Sequence, residues 1–155
     1  MKSPKNLTLV LAAVTLLSLG ASCRPKIKSD LPLGEIKIAG KNITVEIANK
    51  AATRETGLMF REGMADNTGM LFVFKEPQQL YFWMKNTPIP LSIAFVDEKG
   101  AILNILEMPP MTESTFPSKG AAKYALEMNS GWFLKNGVKS GDRVEGIENA
   151  PQAQE

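Results

Sequence analysis

Residues 82–97 read Phe-Trp-Met-Lys-Asn-Thr-Pro-Ile-Pro-Leu-Ser-Ile-Ala-Phe-Val-Asp. Two apolar runs of strand character flank a polar corner, Lys85-Asn86-Thr87, which Pro88 and Pro90 bound. A residue before proline is driven to extended backbone, so Thr87 leaves the corner straight. The two pyrrolidine rings stiffen that exit and leave the corner little chain entropy to lose on binding. Strand alternation puts Leu80, Phe82 and Met84 on one face and Tyr81, Trp83 and Lys85 on the other. The first trio reads as core. The second sets two amphipathic aromatics beside a cation, which suits stacking on a sugar ring or holding an anion. A half-buried strand, with Tyr81 and Trp83 under a loop and Lys85 snorkelling to water, explains the same pattern without a ligand. Asn86 likewise fits a turn residue that bonds its own backbone.

Working outward, Ile36 and Ile38 alternate with charged residues, Ala39-Gly40-Lys41-Asn42 supplies a turn, and Ile43, Val45 and Ile47 alternate again. That is a hairpin with one wet face. Asn49 caps a short helix over Lys50–Thr56, and Gly57 stops it. Gly69–Lys75, Leu80–Lys85, Leu91–Asp97 and Ala101–Met108 read as strands, the last two joined by the turn Asp97-Glu98-Lys99-Gly100. Lys123–Met128 and Arg143–Ile147 add two more, with a brief helix over Gly131–Lys135 between them. Short strands with turn signals and two small helices predict a mainly β chain, a single-domain antiparallel β-barrel or sandwich-like fold. The folded domain spans 34–148, a length that holds one core. Residues 149–155 read as a flexible tail.

Lys2 and Lys5 precede an uncharged apolar run, Leu7 to Leu19, followed by Gly20-Ala21-Ser22 and Cys23. A basic start, a short apolar stretch and small residues at its end make a signal peptide over 1–22, too short for a comfortable membrane span. Cys23 is the sole cysteine, placed where a bacterial lipoprotein receives its diacylglycerol. A lone free thiol is a liability in an oxidising compartment, which favours acylation over simple secretion. Residues 23–33 then form a lipidated N-terminus and a proline-containing tether. The expected location is extracytoplasmic, lipid-anchored to a bacterial membrane. Lys2 and Lys5 also account for the chain's formal +2, so the processed protein is neutral. Neutral balance without a basic cluster speaks against nucleic acid as a partner.

Absences narrow the chemistry further. The chain has no histidine, and no cysteine follows Cys23. A Ser-His-Asp triad, a Cys-His pair and a zinc site of His or Cys are therefore excluded within it. Carboxylate chemistry, a Ser–Lys pair, methionine as a soft Cu(I) ligand, or binding without catalysis remain. Glu107, Glu127, Asp97, Glu113 and Asp142 are the carboxylates to consider, and a glycosidase would need two facing each other across substrate. Arg61 can grip a carboxylate or phosphate bidentately, or pair with an acid such as Glu107 or Glu127. Adjacent Ser118 and Lys119 point apart on extended backbone and make a poor dyad. Met59, Met64, Met70, Met84, Met108, Met111 and Met128 show no tight Met-x-x-Met run and read first as core filler.

The 82–97 block, together with Gly57-Leu58-Met59-Phe60-Arg61, Gly69-Met70-Leu71-Phe72-Val73-Phe74, Met108-Pro109-Pro110 and Gly141-Asp142-Arg143-Val144, resembles the domain of unknown function 192 family from about Ile43 to Val144. The resemblance implies a fold and a set of shared residues, with no established reaction. The family's Trp-Met-Lys-Asn-Thr string runs into the corner, which strengthens its reading as a site. The family commonly carries Asp two residues after the second proline, where this chain has Ser92. Relatives also carry cysteines in the segment that here reads Pro110-Met111-Thr112-Glu113-Ser114. A mechanism using either group is lost.

The expectation is non-catalytic binding of a small polar, anionic or saccharide-like ligand by Arg61, Tyr81, Trp83, Lys85, Asn86, Thr87 and Glu107, with Glu107 orienting Arg61 or Lys85. No catalytic residue, metal or cofactor is expected. The alternatives are a carboxylate/lysine hydrolase acting on cell-wall saccharide, Cu(I) binding by methionines, and a structural lipoprotein.

Overall fold

The computed structural model describes residues 30–154. The expected signal peptide, Cys23 and most of the expected tether lie outside the described residues. The elements run β1 (Leu33–Ile38), β2 (Lys41–Ala48), α1 (Ala51–Thr56), β3 (Thr68–Phe82), β4 (Leu91–Val96), β5 (Ile102–Met108), β6 (Phe116–Asn129), α2 (Trp132–Lys135), β7 (Val144–Glu145) and a 3-10 turn (Ile147–Asn149). Seven strands form one sheet in the order β5-β4-β6-β3-β2-β1-β7. It curls into a half-barrel whose edge strands meet at one end. There Ala101 bridges Arg143, Gly141 N–H donates to the Ile102 carbonyl at 2.8 Å, and Val144 N–H donates to the Gly100 carbonyl at 2.8 Å. The chain is thus mainly β, in a single domain with two short helices.

Alternation splits the strands between two cores. On the inner face lie Ile36 and Ile38 of β1, Ile43, Val45 and Ile47 of β2, Leu71 and Val73 of β3, and Leu126 and Met128 of β6. Trp132 and Phe133 of α2 join this cluster. The outer face carries Met70 and Phe72 of β3, Leu91, Ile93 and Phe95 of β4, and Ala125 of β6, under a cover of Leu58, Met84 and Ile89. Full burial of one such side chain is worth about 1.5–3 kcal/mol. A sheet dry on both faces explains why β4, Leu-Ser-Ile-Ala-Phe-Val, is buried throughout and apolar at every position but Ser92.

Three readings of the sequence are corrected here. The strands expected at Gly69–Lys75 and Leu80–Lys85 are one strand, β3, whose register to β6 shifts between Val73 and Gln78 and again between Gln79 and Tyr81. Bulges let Pro77 sit in the strand without breaking it. Second, β2 and β3 pair parallel, Glu46 opposite Met70, because α1 and its loop carry the chain across between them. Third, Asn49 does not cap α1: the Gln154 N–H donates to its carbonyl at 2.6 Å, and its Nδ2 donates to the Gln152 carbonyl at 2.9 Å. Lys50 holds that position, and its backbone N–H donates to Thr53 Oγ1 at 3.1 Å.

Register also fixes a row across the outer face: Glu46 (β2), Met70 (β3), Glu127 (β6), Ile93 (β4) and Leu106 (β5) are successive neighbours. Beside this row β3 approaches β6 at Gly69, where an added Cβ would lie 2.5 Å from the Glu127 carbonyl oxygen and 2.5 Å from Met128 Sδ.

Candidate functional site

The helix α1 is short and none of its residues is buried, so other contacts place it. Arg54 Nη1 donates to the Asn49 carbonyl at 3.0 Å and the Val73 carbonyl at 3.3 Å, and its guanidinium stacks over the Phe74 ring at 5.3 Å. Gly57 ends the helix at φ +49°, where a Cβ would press on the Phe72 ring at 3.3 Å. The chain then turns through Phe60 (φ +62°), whose N–H donates to the Asn86 carbonyl at 2.8 Å. The segment 57–61 is thereby stitched to the polar corner. Met84 N–H to Thr112 O at 2.8 Å and Met111 N–H to Thr87 O at 3.1 Å stitch a third segment to it.

Between α1 and the far end of β3 lies a cavity of about 260 Å³. Arg54, Glu55 and Thr56 form its helix side, and Gly57, Leu58 and Met59 its turn side. Phe72, Phe74, Tyr81 and Phe82 of β3 build the wall, Trp83 and Thr87 close it, and Glu127 of β6 completes the lining. The rings brace one another edge to face: Phe72 to Phe82 at 4.9 Å and Phe82 to Phe95 at 5.7 Å. A second cavity, about 390 Å³, lies against the opposite side of the Gly57 turn and includes Asp30, Met59 and Arg61.

Glu127 is the unusual group. It is 4% exposed, and among the described residues its side chain makes no hydrogen bond and no ion pair. No polar side-chain atom among the described residues is sealed in without a partner, so its oxygens keep a small open area toward the cavity it lines. Burial pushes its carboxyl up to about 8. At neutral pH the cavity lining therefore includes a neutral carboxylic acid. Glu46, two strands away in the same row, is the contrasting case. It is also buried, but Arg61 Nη2 lies 2.8 Å from its Oε2.

The expected site residues divide. Tyr81, Trp83 and Thr87 line the cavity beside Glu127, with Tyr81 and Trp83 largely open to solvent at its rim. Arg61 bonds Glu46 rather than Glu107 or Glu127 and borders the neighbouring cavity. Lys85 stacks on Trp83, Nζ 5.2 Å from the ring centroid, and lines neither cavity. Asn86 is a left-handed turn residue at φ +55°. Glu107 does not orient Arg61 or Lys85. Its carboxylate accepts from the Ser92 hydroxyl at 2.6 Å, the Ser130 hydroxyl at 2.7 Å and Gly131 N–H at 3.1 Å, which fastens β5 to the turn before α2. Met70, Met84 and Met108 are fully packed in the outer core, while Met59 borders the cavity.

Sequence reasoning named Glu127 among the candidate carboxylates and as a possible partner of Arg61, quoted Met59 and Phe72 without assigning them to the site, and passed over Arg54. One signal was available. In Ala125-Leu126-Glu127-Met128 a glutamate interrupts an apolar run of a strand buried on both faces, which leaves its carboxyl to be satisfied inside the protein.

The sequence pattern of the DUF192 family (Uncharacterized ACR) matches residues 34–146. Two solved structures share the fold. One, described as a candidate transcription regulator from Sinorhizobium meliloti 1021, is 36% identical with a TM-score of 0.73, over 77% of this chain and 97% of that one. The other, a protein of unknown function from Novosphingobium aromaticivorans DSM 12444, is 34% identical with a TM-score of 0.72, over 77% of this chain and 89% of that one. No curated protein matches the chain.

Two stability measurements probe these assignments. Alanine is strained at the left-handed Asn86 position, so Asn86→Ala should lower unfolding free energy by about 1 kcal/mol, and Asn86→Gly by no more than a few tenths. Equal losses in both variants would mean that the amide, not the backbone angle, is what matters. The second concerns Glu127. Its folded pKa is raised above 4.5 to about 8, so between those values the folded state holds the proton more tightly than the unfolded chain. Stability therefore falls as pH rises from about 5 to 8, by up to about 1.4 kcal/mol per pH unit, and levels off above. Urea titrations should show this slope in wild type and its loss in Glu127→Gln.

Proposed function

The chain belongs to the DUF192 family, which has no assigned reaction, and we propose that its domain is a non-catalytic receptor for a small polar molecule held in the Glu127 cavity. The observation that carries this reading is a carboxyl side chain, 4% exposed and without a partner, lining an open cavity with aromatic walls. A carboxyl held this deep is largely withdrawn from water, so a ligand that supplies its partner gains a charge-assisted bond at little further desolvation cost. Tyr81 and Trp83 at the rim offer stacking area at low entropic cost. The polar corner acts through Trp83 and Thr87, while Lys85, Asn86 and Glu107 serve the surrounding structure. A carboxyl in the lining also disfavours the anionic ligand considered from the sequence. The regulator description of the Sinorhizobium protein belongs to that protein; the balanced charge of the processed chain here speaks against nucleic acid as the ligand.

The hydrolase alternative has one observation on its side, since Glu55 lines the same cavity as Glu127. A glycosidase would lose turnover in both Glu55→Gln and Glu127→Gln, whereas a receptor has no turnover to lose.

Native mass spectrometry of the purified protein tests the reading. Wild type should retain a small molecule that Glu127→Gln and Trp83→Ala release. Retention unchanged in both variants would remove the cavity from consideration.

The reading includes attachment to the outer surface of a membrane through an acylated Cys23, which the sequence alone supports. Cys23→Ala should release the protein from the detergent fraction or block its processing. A variant that stays membrane-bound and is cleaved at the same bond would end the lipoprotein reading.

A further inference from the structure

We propose that the occupant of this cavity is a monovalent organic ammonium ion, paired with the Glu127 carboxylate and enclosed by the rings of Phe72, Phe82, Tyr81 and Trp83. The proposal rests on the receptor reading and narrows its ligand class.

Three observations select a cation. First, three of the other side-chain polar groups of the lining are already engaged, which leaves Glu55, Tyr81 and Trp83 as its remaining polar side chains. The Thr56 hydroxyl donates to the Ala52 carbonyl at 2.9 Å, the Thr87 hydroxyl donates to the Lys85 carbonyl at 3.2 Å, and Arg54 is bound to two carbonyls. A polyol seated against Phe72 and Phe82 would bury hydroxyls on aromatic carbon, with Tyr81 and Trp83 able to answer only from the exposed rim. An ammonium head needs one counter-ion and tolerates, or favours, ring faces around it. Second, the formal charges of Arg54 and Glu55 offset each other, so ionised Glu127 leaves one negative charge for one positive charge to neutralise. Third, the protein itself shows both halves of the interaction. In the same sheet row the buried Glu46 is answered by Arg61 at 2.8 Å. Two rings of this lining already carry protein cations, Arg54 over Phe74 at 5.3 Å and Lys85 over Trp83 at 5.2 Å. Glu127 is a Glu46 without its arginine.

Binding is then linked to a proton. The groups around Glu127 are Arg54 and Glu55 from α1, Tyr81 from β3, the Glu46–Arg61 pair along the row, and Lys85 beyond Trp83. Its β4 neighbour is the apolar Ile93. Burial alone accounts for the raised carboxyl. An incoming cation holds the carboxylate ionised, so the carboxyl proton leaves to solvent as the ion pair forms.

Calorimetric titration of the detergent-solubilised full chain with tetramethylammonium and propylammonium chloride, at constant ionic strength, tests this. Sodium chloride, sodium acetate and glucose serve as comparison solutes. Affinity for the ammonium ions should rise close to tenfold from pH 6 to pH 7 and level off above pH 8. About one proton should be released per ion bound, read from the heats in two buffers of different ionisation enthalpy. Glu127→Gln should weaken binding at pH 7.5 by at least tenfold. Ammonium affinity that is flat with pH, or equal in Glu127→Gln, overturns the proposal. Glucose binding that needs Glu127, without ammonium binding, overturns the cation and leaves the receptor reading standing. No binding of any probe by wild type at any pH overturns the ammonium class, and the retained-ligand measurement then judges the receptor reading by itself. Should Glu127→Gln fail to fold, proton release by wild type decides the question.

Discussion

Because β6 runs between β3 and β4, and both faces of that trio are covered, a polar side chain in its middle must find its partner inside the protein. The fold meets this demand in two ways. On β4, Ser92 is wholly buried and bonds both Glu107 and the Gly131 amide, so the polar atom becomes a fastener between β5 and the start of α2. On β2, Glu46 draws Arg61 inward and thereby pins the loop that follows α1. Glu127 alone in the row has neither solution. A group that a folded protein leaves unanswered at its centre, beside a cavity, is where function is to be sought.

The cavity exists because its cover is small and its wall is stiff. A six-residue helix with no buried side chain cannot fill the space above Phe72. It is held over that space by Arg54, by the Gly57 turn and by the tail bonded at Asn49, not by packing of its own. The aromatic rings beneath are locked edge to face, so they do not collapse into the gap. Rigidity in the wall and lightness in the cover together leave an opening that a guest can enter without disturbing the sheet.

Much of this architecture was legible in the sequence, and the failures have physical causes. The first hairpin, β4, β5 and the short helices followed from alternation and turn chemistry, because those segments are governed by neighbours close along the chain. β3 was divided at Glu76-Pro77-Gln78-Gln79, which reads as a turn. Long-range pairing with β6 carries the strand through as a bulge, and no local signal announces that. The start of β6 was hidden by Pro117 and Gly120 for the same reason. Parallel pairing of β2 and β3 depends on where a loop lands. At the site, the aromatic residues Tyr81 and Trp83 were visible as an amphipathic pair. The charged partners were assigned without knowledge of the sheet register, which sent Arg61 to Glu46 and Glu107 to Ser92 instead.

The strand order has a consequence for how the chain comes into being. β3 is joined on one side to β2, which precedes it, but on the other to β6, which begins only at Phe116. β1 likewise waits for β7 at Val144 to cover its outer edge. A chain emerging from its N-terminus can form the first hairpin early, yet the middle of the sheet stays open until nearly all of the domain has been made. Until then Met70 and Phe72 have β2 on one side and no strand on the other. The contacts that complete the sheet are thus long-range ones, and the core closes only when β6 and β7 are available to it.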